Sequence, residues 1–231
     1  MRTPTNRNGL PWLLLALCAV PAAGCAFTNI TLQAPPHATV THKEIRARGG
    51  AREVVLTEPF VDKRPMITRC GMKKNAYNID TADIFCASPP NVWLAQLLRE
   101  ELLAAGFRVT PPGQPASPTA IRIDGELRQF FLEPKVGFFT FTPEADIEIL
   151  LRAASEAGLV AERRFYFKGQ EVSLVGTEDN YRLSMESAVR QALAKLVDAI
   201  SQLLDQYQRV ARTMPKRIFT DGVSRAGRVE R

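Results

Sequence analysis

The sequence predicts a single α+β domain, a mostly antiparallel sheet with two helices packed on one of its faces. Residues 121–128 and 145–153 alternate apolar and polar side chains with the period of a half-buried strand. Residues 93–103 and 185–207 instead repeat apolar side chains in steps of three and four, as a helix with one buried face does. Turn residues separate the strand-like runs closely enough for a meander, and the open face of such a sheet is what the helical stripes can cover.

The chain opens with Arg2 and Arg7 ahead of an apolar run, residues 10–20, that is shorter than the ~20 residues a membrane-spanning helix needs. Such a run is the core of an export signal. It leads through Pro21, Ala22, Ala23 and Gly24 to Cys25, which resembles the lipobox cut just before its cysteine by lipoprotein signal peptidase. The resemblance implies removal of residues 1–24 and a thioether-linked diacylglycerol on Cys25, with palmitate-type acyl chains. Ala22 stands where that motif most often has Leu. The alternative is an ordinary secretory signal cut near Ala23. At ~0.8 kcal/mol per buried methylene, two or three acyl chains would hold the protein on a membrane almost permanently.

Removing 24 of the 231 residues leaves 207, enough for one sizeable core. The formal charge of +6 falls to +4 without Arg2 and Arg7, and much of it sits in residues 208–231, where seven Lys or Arg face Asp221 and Glu230. The favoured reading of this basic tail is a solvated, disordered segment; as a binding element in an exported protein it would suit anionic lipid headgroups, peptidoglycan or an acidic partner rather than nucleic acid. Cys18 leaves with the leader and Cys25 carries lipid, so Cys70 and Cys86 remain as an even pair in an oxidising compartment. They are expected to form a disulfide around a loop, 71–85, with too little periodicity to order itself; two buried free thiols are the alternative.

Along the mature chain, residues 25–50 are rich in Thr, Pro, Ala and Gly and read as a lipidated flexible tether. The domain is expected over 51–207. Its first strand is expected at 53–61, before the polar turn Asp62, Lys63, Arg64, Pro65. Ser88, Pro89 and Pro90 mark a helix start and Gly106 its stop, around Trp93, Leu94, Leu97, Leu98 and Leu102. Phe107 to Thr110 gives a short strand, and 121–131, 145–153 and 159–167 give three strands joined by tight turns. Met185, Val189, Leu193, Leu196, Val197, Ile200 and Leu204 then place a long helix whose stripe packs within the molecule rather than in a coiled coil.

The helix ending at Ala105 to Val109, the strand at 121–131, the segment Phe141 to Ile149 and the strand Ala161 to Tyr166 together resemble the YajG family of bacterial lipoproteins. More loosely, they are similar to auxiliary lipoproteins of envelope ABC transporters. The resemblance covers roughly 54–205 and rests on pattern and order. It implies a small periplasm-facing α/β domain on a lipid anchor, with no established reaction. The 70–86 insertion and the basic tail depart from the family.

Residues able to carry chemistry are sparse. His37 and His42 both fall in the expected tether, where nothing rigid would hold them as a base or ligand pair. The sequence has no G-x-S-x-G elbow, phosphate loop or H-E-x-x-H helix. Asp146 and Glu148 share a strand face and resemble a glycan-cleaving pair, but Arg122, Arg128, Arg152 and Arg163 are expected opposite them in a charge ladder. No enzyme, cofactor or metal site is expected. The favoured reading is a non-catalytic binding or scaffold lipoprotein of the cell envelope, facing the periplasm and auxiliary to a transporter or assembly. A small-molecule or lipid binder is the second reading and a glycan hydrolase the third. Ala26, rather than Asp, after the lipidated cysteine favours the outer membrane by the sorting rule of related lipoproteins.

One aromatic cluster stands out. Past Arg128 the alternation gives way to Phe130 and Phe131, and beyond residues 133–137 come Phe138 and Phe139. Strict alternation buries only about half of them, so this hairpin tip is expected to bind a partner unless it folds under the last helix as core.

Overall fold

The computed structural model describes residues 27–41, 49–138, 140–156, 158–173 and 176–213. Among these are nine strands in one mixed sheet and three helices. In chain order they are β1 (Ile30–Leu32), α1 (His37–Val40), β2 (Glu53–Leu56), β3 (Val61–Asp62), β4 (Gly71–Lys74) and β5 (Asp80–Cys86). They continue with α2 (Pro90–Ala104), β6 (Arg108–Thr110), β7 (Ile121–Val136), β8 (Phe141–Ser155), β9 (Gly158–Gln170) and α3 (Glu178–Thr213).

The 16-residue β7 is the spine. One edge pairs antiparallel with β8 over its whole length, from Arg122 opposite Ala154 to Val136 opposite Phe141, and β8 pairs antiparallel with β9. The other edge receives three short parallel partners in turn: β2 at Ile121 to Ile123, β3 at Glu126 and Leu127, and β4 at Leu132. The expected first strand, 53–61, is thus two strands with a break at Pro59, which has no N–H to give to a ladder. The long pairings are antiparallel and the short ones parallel, because a hairpin needs only a tight turn whereas each parallel entry needs a crossover.

A bulge between Leu127 and Gln129 explains the lost alternation on β7. Ile121, Ile123 and Leu127 face the core, and one extra residue then shifts the phase so that Phe130 and Leu132 do. Gly125 continues the inner row, where the Phe60 ring lies so close that an added Cβ would sit 2.4 Å from it. On this face α3 covers β8 and β9 with Tyr181, Met185, Val189, Leu193, Leu196, Val197, Ile200 and Leu204, all buried. α2 packs beside it through Leu94, Leu98 and Leu102, and Trp93 meets Phe130 edge to face with ring centroids 5.4 Å apart. Both helices therefore share one face and one core.

α2 begins with Pro89 as its N-cap rather than Ser88, and no side chain caps it. It stops as expected. Gly106, at a φ of 83°, lets Gly106 N–H donate to the Leu103 carbonyl and Phe107 N–H to that of Leu102.

Three parts of the sequence reading are corrected. Residues 27–41 are not tether: β1 pairs with β5, and Leu32 and Val40 belong to the core. Burial of two side chains and three residues of sheet pairing outweigh a composition that reads as loop. Nor is 71–85 an unstructured loop held by its ends. It is the β4–β5 hairpin, whose turn is built by Asn75: its side-chain oxygen accepts from the N–H of Tyr77 at 2.9 Å and of Ile79 at 3.1 Å, with Asn78 in the left-handed region at φ 61°. α3 also runs on to Thr213, so the expected tail is helical over 208–213 and residues 214–231 lie outside the described part.

Candidate functional site

The sheet face turned away from the helices carries the even-numbered side chains of β8 and β9, a ladder of opposite charges. Glu148 accepts two bonds from Arg164, at 2.6 and 2.8 Å. Asp146 accepts from the Tyr166 hydroxyl at 2.5 Å and lies 3.2 Å from Lys168 Nζ. Buried Glu144 accepts from Lys168 at 2.7 Å, Lys135 at 2.9 Å and Gln170 at 2.7 Å. Arg152 joins Glu162 at 2.6 Å and also bonds Glu126, which Arg128 approaches at 3.1 Å. The cations on Glu148 and Asp146 are Arg164 and Lys168 rather than the arginines expected there: Arg122 bonds Asp124, Arg128 and Arg152 bond Glu126, and Arg163 sits opposite core-facing Leu151 in the register.

These contacts set the electrostatics. Burial pushes the Glu144 carboxyl up, but its hydrogen bonds from Lys168 and Lys135 outweigh that and hold it below its ordinary value of 4.5. Glu126 is held low chiefly by the hydrogen bond from Arg152. Tyr166 is pushed up to about 12, first by burial and then by its bond to Asp146. A glycosidase needs one carboxyl kept protonated and the other free to attack or to activate water. Asp146 and Glu148 both have cationic or hydroxyl donors already seated on them, and the arrangement does the work of a ladder.

His37 is held, contrary to the tether reading, because α1 packs against α3 while its side chain reaches α2: Nε2 lies 2.7 Å from Oε2 of buried Glu101, which also accepts from the Thr41 hydroxyl at 2.8 Å. This pins the N-terminal segment to the domain. His42 lies outside the described residues. Among the described residues no group of three or more His, Cys, Asp or Glu could hold a metal. Among the described residues the buried Tyr181 hydroxyl meets no hydrogen-bond partner, and burial pushes its pKa up; it lies among core side chains.

Cys70 and Cys86 form the expected disulfide, with Cα atoms 5.7 Å apart. It joins the residue before β4 to the end of β5 and forms one wall of a cleft of about 300 Å³ lined also by Asp62, Arg64, Ile67, Arg69 and Ser88. Arg64 is buried and fixed by Asp62, with Nη2 2.8 Å from Oδ2. Loss of this cross-link, by Cys70→Ser with Cys86→Ser, is expected to lower stability by ~3 kcal/mol, as for a loop of comparable length in the chain-entropy picture. Urea unfolding of the oxidised and double-serine proteins checks this; equal midpoints and slopes would refute it.

The four phenylalanines of the hairpin aromatic cluster separate. Phe130 is core, only 2% exposed, and is removed from any contact surface because the bulge turned it inward. Phe131 is half-buried on the charged face opposite Asp146. Phe138, in the turn, is 92% exposed. Phe139 and Cys25 lie outside the described residues. No helix among the described residues is long and apolar enough to cross a membrane.

No protein-family model matches the chain, and no curated protein does. Solved structures do. A protein from Xanthomonas campestris assigned to the family DUF330 matches with a TM-score of 0.54 at 15% identity, covering 80% of this chain and 99% of that one. A homolog of the neuraminyllactose-binding hemagglutinin from Helicobacter pylori matches with a TM-score of 0.43 at 12% identity, covering 72% and 92%. A minor lipoprotein from Acinetobacter baumannii matches with a TM-score of 0.37 at 9% identity, covering 66% and 94%. The chain thus shares the fold of the DUF330 protein.

Proposed function

We propose that this is a non-catalytic lipoprotein of the bacterial cell envelope, anchored through Cys25 and facing the periplasm from the outer membrane, whose domain binds or scaffolds an envelope protein. The observation that carries the non-catalytic reading is the ion-paired ladder, which occupies the carboxylates a glycan hydrolase would need. The ladder also supplies a binding surface. Arg164 and Tyr166 stand exposed on the same face as half-buried Phe131, and arginine and aromatic side chains are the types enriched where proteins meet. Kinship with YajG or with transporter-auxiliary lipoproteins fits this reading, as does a basic tail that reaches an acidic partner, peptidoglycan or anionic lipid.

A second reading, a small-molecule binder, is favoured by the cleft beside the disulfide. The space between sheet and helices is occupied by core side chains.

Palmitate labelling in cells tests the anchor. Cys25→Ala is expected to leave an uncut precursor without label, and persistent labelling would refute the assignment. Crosslinking of the lipidated protein in native membranes, followed by capture, tests the partner. Arg164→Glu with Tyr166→Ala is expected to lose a specific crosslinked species at unchanged fold; an unchanged crosslinking pattern would refute this surface.

A further inference from the structure

We infer that the end of the sheet carrying the β4–β5 and β7–β8 turns is a membrane-interface surface, seated among lipid headgroups so that the domain stands in one orientation on the bilayer. The inference rests on the lipid attachment at Cys25 proposed above.

The strand directions bring the two turns together. β4 and β7 are parallel, with Gly71 opposite Leu132, so the turns that follow them, one closed by Asn78 N–H on the Asn75 carbonyl and the other by Gly137 N–H on the Thr140 carbonyl, lie at the same end; Lys74 bonds Glu133 between them. The N-terminal segment arrives at this end too. β1 is parallel to β5, with Ile30 opposite Ile84, and Thr28 accepts from Lys73 Nζ at 3.1 Å. Going backward from β1 is therefore going toward the hairpin turn.

The three most exposed large apolar side chains among the described residues belong here: Phe138 at 92%, Tyr77 at 85% and Val172 at 70%, the last beside the bridge from Ser173 to Phe141. Phe27 at 64% and Ile79 at 59% join them. Scattered apolar residues are normal on a surface, but aromatic and aliphatic side chains gathered on the turns at one end call for an occupant.

The chain length names that occupant. Phe27 is two residues from Cys25, and two residues of extended chain reach at most ~7 Å. Acyl chains on Cys25 lie in the hydrocarbon layer, which puts the cysteine at the headgroups, a zone roughly 5–8 Å deep on each side of a bilayer. Phe27 and the turn beside it are then held at that depth. Tyrosine suits the headgroup level with its apolar ring and polar tip, and phenylalanine and isoleucine suit the layer just beneath. α3 points the other way: Ser184, near its start, donates to the Pro143 carbonyl at 2.8 Å, and its end at Thr213 lies roughly 50 Å along the helix from this surface.

The test uses full-length lipidated protein in phosphatidylcholine–phosphatidylglycerol vesicles carrying bromine high on the acyl chains. The mature chain has one tryptophan, buried Trp93, so an added indole is readable above a nearly silent background. Tyr77→Trp and Phe138→Trp are compared with Leu103→Trp, which is exposed at the far end of α2. Fluorescence of the first two is expected to fall at least about twofold in brominated against plain vesicles, as for an indole at the interface, while that of Leu103→Trp stays unchanged. Vesicle-bound protein whose first two variants are quenched no more than the third overturns the orientation alone. Protein that fails to float with vesicles overturns the lipid anchor and this surface with it.

Discussion

Phe130→Ala is expected to lower stability by about 3–5 kcal/mol, whereas Phe138→Ser should leave it within about 0.5 kcal/mol. The two residues lie on one hairpin and read alike in the sequence, but Phe130 is buried against the Trp93 ring and Phe138 stands in the turn, 92% exposed. Truncation of Phe130 removes an apolar side chain from the interior and leaves a cavity between β7 and α2 that neither element can close, because each is fixed by its other neighbours. In a domain of this size the loss corresponds to a fall in melting temperature of roughly 6–20 °C. Thermal and urea unfolding of both variants would decide it. Equal effects would show that the β7 bulge does not set the register in solution. A loss of membrane or partner engagement in Phe138→Ser without a loss of stability is the pattern of a contact residue.

The second large effect is expected at Gly169. Here α3 crosses β9 at backbone distance: a Cβ on Gly169 would stand 1.9 Å from the Ser184 carbonyl oxygen and 2.5 Å from the Ala188 nitrogen. Nothing flexible is available to move aside, since both are helix backbone and Ser184 is tied to Pro143 on β8. Gly169→Ala therefore must lift the helix or bend the strand, and is expected to cost about 3 kcal/mol, the upper part of the range for overpacked cores. Gly169→Val adds branching against the same backbone and should leave little soluble folded protein. Circular dichroism and urea midpoints measure the alanine variant, and an unchanged midpoint would mean that helix and strand do not meet there.

Neither effect was legible from residue types. Gly169 reads as a break at the end of a strand, and only the crossing of α3 gives its missing side chain a purpose. The same holds for Glu101, which follows Arg99 and Glu100 in the sequence and is charged, as both of them are. It is buried because α1 brings His37 and Thr41 to its carboxylate. Asn75 and Asn78 did carry a usable signal, a side chain suited to accept from the turn and a residue suited to positive φ, within a segment whose weak periodicity suggested only a loop.

The sequence by itself determined what is local in physical origin. Helical and strand periods, the glycine stop of α2, the paired cysteines and the alternating charges of β8 and β9 all act between residues a few positions apart, and they sufficed for the fold class, the disulfide and the existence of a charge ladder, but not for its partners, since Arg164, Tyr166 and Lys168 stand where other arginines were expected. The tertiary structure decided what depends on pairing between distant segments. Which strand edge receives β1, β2, β3 and β4 follows from crossovers that no short-range period encodes. A single bulge at Arg128 reverses the inward and outward faces of the rest of β7, so one residue of register buries Phe130 and leaves Phe131 on the charged face. Parallel pairing of β1 with β5 and of β4 with β7 then gathers the N-terminal segment and two aromatic turns at one end, because strand direction, once set by hydrogen bonding, carries every connecting turn with it.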